Sequence, residues 1–209
     1  YALLNERSDT ACERVFLPDH DEMTRYVRTN TPMMSVETQT PLADFAIVGF
    51  AISFEMDYFH VAEMLARSHI TVLAADRTAH DPLVIAGGPC ATFNPEPLAA
   101  LIDAFVIGEG EAILPAMMDA YHAGLRAGDD RTALLQRLSH VPGVYVPALY
   151  TPTYDAEGHL TALLPRAGAP SHVARQWVED LDAHPAHTVV ITDDTEFSFY
   201  LIETARGCG

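Results

Sequence analysis

The sequence has few cysteines and few basic residues, and each shortage excludes a class of protein. The three cysteines, Cys12, Cys90 and Cys208, are widely spaced and form no CxxC pair, so neither a disulfide framework nor a self-contained zinc site is predicted. The chain has 12 Lys and Arg residues against 29 Asp and Glu, and its formal net charge is −17. This charge disfavours binding to nucleic acid or to anionic membranes.

Long apolar runs are also missing. The longest, residues 45–54, is about half as long as a transmembrane helix requires, and no charged-then-apolar export segment opens the sequence. We therefore predict a cytoplasmic protein without a membrane or nucleic-acid partner. At 209 residues and 49% hydrophobic content the chain can bury a substantial core. Because it lacks an initiator Met and its first residues resemble the middle of a helix, we expect it to be a fragment.

What is present is an alternation of apolar runs and helical patterns, which is typical of an α/β fold. Residues 44–53 form a nearly continuous apolar run that predicts a strand buried on both faces. Further strands are predicted at 13–17, 70–75, 83–86 and 104–107. One predicted helix begins after Asp19 or Asp21, and another contains Val61. A third follows Asn94, with Pro95 in its first position. Two more are predicted, one that ends near Gly128 and one that follows Asp129 or Asp130.

The pattern changes at residue 143 from strand-helix alternation to hairpins. Strands are predicted at 144–154 and 159–164, with a turn at 155–158 between them. A helix capped by Ser171 and strands at 188–191 and 199–203 complete the prediction.

Two glycine turns follow consecutive predicted strands. Gly87-Gly88-Pro89 comes after one strand, and the turn formed by residues 108–111, with the sequence GEGE, comes after the next. In a parallel sheet both turns lie at the carboxyl edge, where open α/β sheets bind ligands. Glycines let a ligand approach the backbone, although a tight turn alone is the better explanation of the first pair.

The second turn is acidic, and its composition restricts what it can bind. Glu109 and Glu111 stand where a helix begins, and their charges would repel a phosphate-rich ligand. The turn is better suited to a ligand that offers hydroxyl or amide donors. Simple helix capping by the two glutamates explains the pattern equally well.

Five segments of the sequence are distinctive: ERVFLPDHDEM, SVETQTPLADFAIVGFAISFEMDY, AADRTAHDPLVIAGGPCATFNPEPLAALIDAFVIGEGE, VPGVYVP and IETARGCG. They resemble radical S-adenosylmethionine (SAM) proteins that carry a cobalamin-binding-like domain at the amino end, in particular those of a bacterial branch. The resemblance implies three regions. Residues 1–142 would form a Rossmann-like (flavodoxin-like) parallel sheet that lacks its first strand, residues 143–197 a small α+β connector with a hairpin, and residues 198–209 the first strand of a truncated, partial α/β barrel.

The same resemblance gives Cys208 a role. It would match the first cysteine of the CxxxCxxC loop, whose three cysteines ligate a [4Fe-4S] cluster in the family. The fourth iron binds SAM, and an electron from an external donor leads to cleavage of SAM to a 5′-deoxyadenosyl radical. Only one of the three ligands is present, so the fragment itself is not expected to be active.

Cobalamin is the other small-molecule cofactor that the resemblance implies. Gly87, Gly88, Gly108 and Gly110 match the loops that border its nucleotide tail, with Glu109 between them and Ser53 at the end of the neighbouring strand. The DxHxxG loop of classical cobalamin domains is absent from the sequence, but many radical enzymes of this class bind cobalamin without its histidine. One alternative is a non-catalytic α/β module that binds a ligand or partner and in which Cys208 is incidental. A nucleotide-sugar-binding enzyme is disfavoured by the acidic turn.

Overall fold

A four-stranded sheet forms the centre of the chain. The structure, a computed structural model, describes residues 1–184, 189–190 and 206. Strands β1 (Ile47–Ala51), β2 (Leu83–Gly87) and β3 (Ala104–Val106) run parallel in that order, and β4 (Val144–Tyr145) adds an antiparallel edge beside β3. The predicted α/β, Rossmann-like fold with a parallel sheet is confirmed.

Six helices accompany the sheet in the described part of the chain. They are α1 (Ala2–Asn5), α2 (His20–Thr29), α3 (Asp57–Arg67), α4 (Pro89–Phe93), α5 (Gly110–Ala127) and α6 (Arg131–Ser139). The carboxylates of Asp19 and Asp130 accept backbone N–H groups in the first turns of α2 and α6, each at 2.8 Å. Gly128 ends α5 in the left-handed region, with φ 74°. These predicted helix ends are confirmed.

The core lies between the sheet and helices α3, α5 and α6. Val84 and Phe105 in the central strands are fully buried, as are Ile113 on α5 and Leu138 on α6. Because α5 and α6 both contact β3, this short strand is the most enclosed part of the sheet.

Strand β1 differs from its prediction. It is shorter than residues 44–53 and is not buried on both faces, since only Val48 among its five residues is buried. The reason is its position at the edge of the sheet, where β2 is its only neighbour. Asp44, the first residue of the predicted strand, instead ends a short 3₁₀ turn, Leu42–Asp44.

The strand predicted at 70–75 is wrong. Residues 74–76 form a 3₁₀ turn, and the backbone carbonyl of Thr71 accepts a hydrogen bond from the Arg77 guanidinium at 2.8 Å. That guanidinium also bonds Leu101 and the carboxylate of Asp103. The Arg77 guanidinium therefore satisfies backbone carbonyls of this segment that strand pairing would otherwise have used.

Two other local predictions are also wrong. Residues 13–17 form no strand: Val36 donates one backbone hydrogen bond to the Arg14 carbonyl, and the Arg14 N–H is taken by the Glu37 side chain. The helix predicted after Asn94 is a single 3₁₀ turn, Glu96–Leu98. Prolines on both sides of Glu96 remove backbone N–H groups that a longer helix would use.

The region after residue 143 contains the predicted hairpin, although its first strand is divided. Val144–Tyr145 joins the main sheet as β4, whereas β5 (Tyr150–Tyr154) pairs with β6 (Leu160–Pro165) in a separate antiparallel sheet. The helix predicted after Ser171 is not formed. The boundary predicted after residue 142 stays a prediction, and the predicted barrel strand, 199–203, falls outside the described residues.

Across the residues that the structure describes, no helix combines the length and the apolar character required to cross a bilayer.

The sheet edge and its acidic turn

The two glycine turns lie side by side, as the sequence predicts. Gly87 ends β2, and Gly108 follows β3, the next parallel strand, with Ile85 opposite Ala104. A hydrogen bond links the turns directly, because the Gly108 N–H donates to Thr92 Oγ1 on α4 at 3.2 Å. Helix α4 itself begins at the first turn, so both turns belong to one continuous edge.

The backbone at Gly88 is closed by the chain itself. Gly88 has φ 97°, and a Cβ there would lie 2.6 Å from the carbonyl oxygen of Ile52. The Ile52 N–H donates to the Gly87 carbonyl at 2.9 Å, and its carbonyl accepts from the Cys90 N–H at 3.3 Å. The glycine pair thus allows tight packing between the ends of β1 and β2, which is the tight-turn interpretation. Ser53, the next residue after Ile52, is exposed.

Gly108 is closed by the segment that follows the hairpin. It has φ 123°, and a Cβ there would overlap the backbone oxygen of Gln176. Gln176 pairs with the turn on both sides: its N–H donates to the Ile107 carbonyl at 3.1 Å, and its carbonyl accepts from the Glu109 N–H at 3.0 Å. The segment that contains Gln176, which we call the connecting segment, therefore packs directly against the acidic turn.

The two glutamates of the turn converge on one arginine. The Glu109 side chain makes no capping hydrogen bond to α5. Its Oε2 atom accepts instead from the Val178 N–H at 2.7 Å and from Arg206 Nη1 at 3.1 Å. Glu111 Oε1 accepts from Arg206 Nη2 at 2.9 Å. The donors to the turn are thus a backbone amide and a guanidinium of the chain itself, and neither the predicted helix capping by Glu109 nor an added ligand accounts for these contacts.

This cluster is partly shielded from solvent. The side chains of Glu109, Glu111 and Arg206 are 17%, 34% and 21% exposed. Burial acts to raise the pKa of Glu111, but its own backbone N–H and Arg206 outweigh burial and lower that pKa. Since arginine stays charged at all ordinary pH values, the ion pairs persist wherever the carboxylates are ionised.

The remaining glycines of the edge also face protein atoms. A Cβ on Gly87 would meet Val106 at 3.5 Å, and one on Gly110 would meet Leu114 at 3.2 Å. A Cβ would therefore overlap backbone atoms at Gly88 and Gly108, whereas at Gly87 and Gly110 it would meet only side-chain atoms at ordinary or slightly short distances. Cofactor binding at Ser53, Glu109 and these glycines stays a prediction.

An iron site cannot be assembled from the described residues alone. Within residues 1–184, 189–190 and 206, no group of three or more His, Cys, Asp or Glu side chains is arranged to hold a metal ion. Cys208, the predicted cluster ligand, lies outside the described residues.

Sequence reasoning missed the partners of the acidic turn, Arg206 and Gln176. One signal was available for Arg206: it belongs to the distinctive IETARGCG segment, and the turn presents two carboxylates without a basic residue nearby in sequence. Nothing in the sequence marks Gln176, because it acts through its backbone.

A comparison with protein families gives one match. The family model described as "Radical SAM proteins, N-terminal" matches residues 1–147, which is more than two thirds of the chain. No curated protein and no solved structure matches the chain significantly.

Proposed function

Since the chain belongs to the radical SAM protein family, we propose that it is the amino-terminal part of a longer radical SAM iron-sulfur enzyme. The family match over residues 1–147 carries this proposal, and the Arg-Gly-Cys sequence that ends at Cys208 supports it. In the full-length protein, Cys208 would supply the first thiolate of a CxxxCxxC loop, and residues after Gly209 would supply the other two.

Full-length members of such a family use a [4Fe-4S] cluster and SAM, which together supply a 5′-deoxyadenosyl radical when an external donor provides the electron. This chain's own residues would support that loop. They form an α/β sheet whose carboxyl edge is closed by Gln176 and whose acidic turn holds Arg206.

The proposal is tested by the iron content of the full-length protein. After anaerobic reconstitution with ferrous iron and sulfide, we expect the wild type to hold close to four irons per chain. Cys208→Ala should lose most of the iron and sulfide, because a [4Fe-4S] cluster requires its thiolate ligands. Cys12→Ala is the matched control and should retain both, since Cys12 has no assigned ligand role. Equal iron in the two variants, or no further cysteines at CxxxCxxC spacing, would refute the proposal.

A non-catalytic module remains the alternative, and one observation favours it. Phe54, Phe59 and Phe93, which follow β1 and β2 in the chain, are more than two thirds exposed. Exposed aromatic side chains are suited to contact with a partner.

Titration with hydroxocobalamin addresses the proposed cofactor role of Ser53, Gly87, Gly88 and residues 108–110. A bound, shifted corrin spectrum would support a working cobalamin domain. The absence of binding at high ligand concentration would favour a structural or partner-binding domain.

A further inference from the structure

We infer that the acidic turn is an intramolecular docking site that anchors Arg206 and thereby positions the segment that contains Cys208. This inference rests on the proposed function for its purpose, but the contact stands on its own geometry. Arg206 is a positioning residue here, because it acts on Cys208 through the chain and not on a reacting group.

The contact has the geometry of a directed anchor. Two different nitrogens of one guanidinium donate to two different carboxylates, Nη1 to Glu109 at 3.1 Å and Nη2 to Glu111 at 2.9 Å. A planar guanidinium that donates through both of its terminal nitrogens is fixed in orientation as well as in position. A single ion pair to a flexible side chain would not achieve this.

The base of the anchor is itself rigid. Glu109 is held through its backbone by Gln176 and through its side chain by the Val178 N–H. The turn stands between β3, which is entirely buried, and α5, whose Ile113 has no exposed surface. Arg206 is therefore tied to the core of the domain and not to a mobile surface loop.

The anchor restricts Cys208 because the chain between them is short. Two residues of backbone span about 7 Å at most, whatever their conformation. Fixing Arg206 at the carboxyl end of β3 would therefore restrict the positions open to Cys208. The domain that contains the parallel sheet would in this way set the position of the cluster loop.

Charge gives the site its selectivity. Glu109 and Glu111 repel each other unless a cation lies between them, and the chain has only 12 Lys and Arg residues to offer. A neutral segment would leave two partly buried carboxylates uncompensated. The turn thus favours a basic residue at this point of the chain.

Trypsin cleavage after Arg206 provides a direct test on the 209-residue chain. Glu111→Gln is the preferred change, because replacing Glu109 would also disturb its bond to Val178. We expect cleavage after Arg206, followed by mass spectrometry, to become about fivefold faster in Glu111→Gln, as expected for loss of one partly exposed ion pair. Arg206→Lys keeps the charge and the cleavage site but loses the two-pronged contact, so it should give an intermediate rate.

Glu179→Gln is the matched control, because it removes the same charge from an exposed residue close to Val178 in the chain. It should leave cleavage after Arg206 at the wild-type rate. The thermal midpoint should also be unchanged in Glu111→Gln, which separates loss of the anchor from general destabilisation. Equal cleavage rates in the wild type and in Glu111→Gln would overturn the inference.

Alkylation of the cysteines by iodoacetamide, resolved by peptide, gives a second measurement. Labelling of Cys208 should accelerate in Glu111→Gln, while that of Cys12 and Cys90 should not change. Neither measurement requires iron or SAM. Failure of the anchor and failure of the proposed iron-sulfur function would therefore be distinguished, and acceleration at all three cysteines would contradict a local anchor.

Discussion

Both ends of strand β3 carry a carboxylate-arginine cluster, and the two clusters differ in burial. At the amino end, Asp103 Oδ2 accepts from Arg77 Nη1 at 2.8 Å and from Arg131 Nη2 at 2.7 Å, as well as from the Val84 N–H. The side chains of Asp103 and Arg77 are 2% and 0% exposed. At the carboxyl end, Glu109, Glu111 and Arg206 remain partly exposed.

The difference in burial indicates a difference in role. A buried charge cluster is costly to form, but removing one member leaves the others uncompensated, so it constrains the fold strongly. Burial lowers the pKa of Arg77, and Asp103 opposes that change. A partly exposed cluster contributes little to global stability and is suited to holding a segment in place. We therefore assign a role in stabilising the fold to the cluster at the amino end of β3. To the cluster at the carboxyl end we assign a role in positioning Arg206.

The largest effect is expected at the buried end. Asp103→Ala should lower the free energy of unfolding by about 3–5 kcal/mol, because Arg77 and Arg131 would both lose their carboxylate partner. Urea denaturation followed by circular dichroism measures the change. Asp119→Asn, which alters an exposed partner of Arg7, is the control and should leave the midpoint nearly unchanged. A similar loss in both variants would remove the distinction between the two ends.

A smaller loss is expected where the connecting segment lies on the acidic turn. Gly108→Ala should destabilise by about 1–3 kcal/mol, because its Cβ would overlap the Gln176 carbonyl and its φ is positive. Gly128→Ala is a matched control with φ 74° and no atom within 4 Å of the added carbon. Gly128→Ala should lower the free energy of unfolding by less than Gly108→Ala. A Gly108→Ala variant as stable as this control would show that Gln176 is not packed tightly against the turn.

Acid should weaken the amino end through Asp81, which accepts the Thr71 N–H in the segment predicted as a strand at 70–75. Burial acts to raise its pKa, but hydrogen bonds from Thr78 and Thr71 outweigh burial and lower it. A lowered pKa means that the stabilisation is present above the unfolded value, near pH 4, and is lost as the pH falls toward the folded value. Thermal midpoints of the wild type should therefore drop more steeply below about pH 4 than those of Asp81→Asn. An equal decrease of the thermal midpoint in both proteins below pH 4 would exclude a contribution of the Asp81 carboxylate to stability.

The features that could be predicted from sequence are those with local causes. Asp19 and Asp130 cap helices within three residues of themselves, and the glycine turns follow apolar runs directly. The strand predicted at 70–75 failed because its outcome depends on Arg77, whose partners include Leu101 and Asp103. A local pattern contains no information about such distant partners.

The contacts of the candidate site could likewise be predicted only in part from the sequence. The glycines after β3 allow close approach to the backbone, but the sequence does not indicate whether a ligand, the chain itself or no group makes that approach. The structure places Gln176 there. Likewise, the sequence shows two carboxylates at the turn, yet their partner Arg206 lies 97 residues from Glu109. Only the folded chain brings these residues together.

Amide hydrogen exchange in wild type and Glu111→Gln tests the distinction between the two ends of β3 most directly. We predict faster exchange at residues 174–178 and in peptides that contain Arg206, with unchanged protection of β2 and β3. Unchanged exchange throughout the chain, or faster exchange that includes β2 and β3 to the same degree, would contradict a positioning role for the acidic turn.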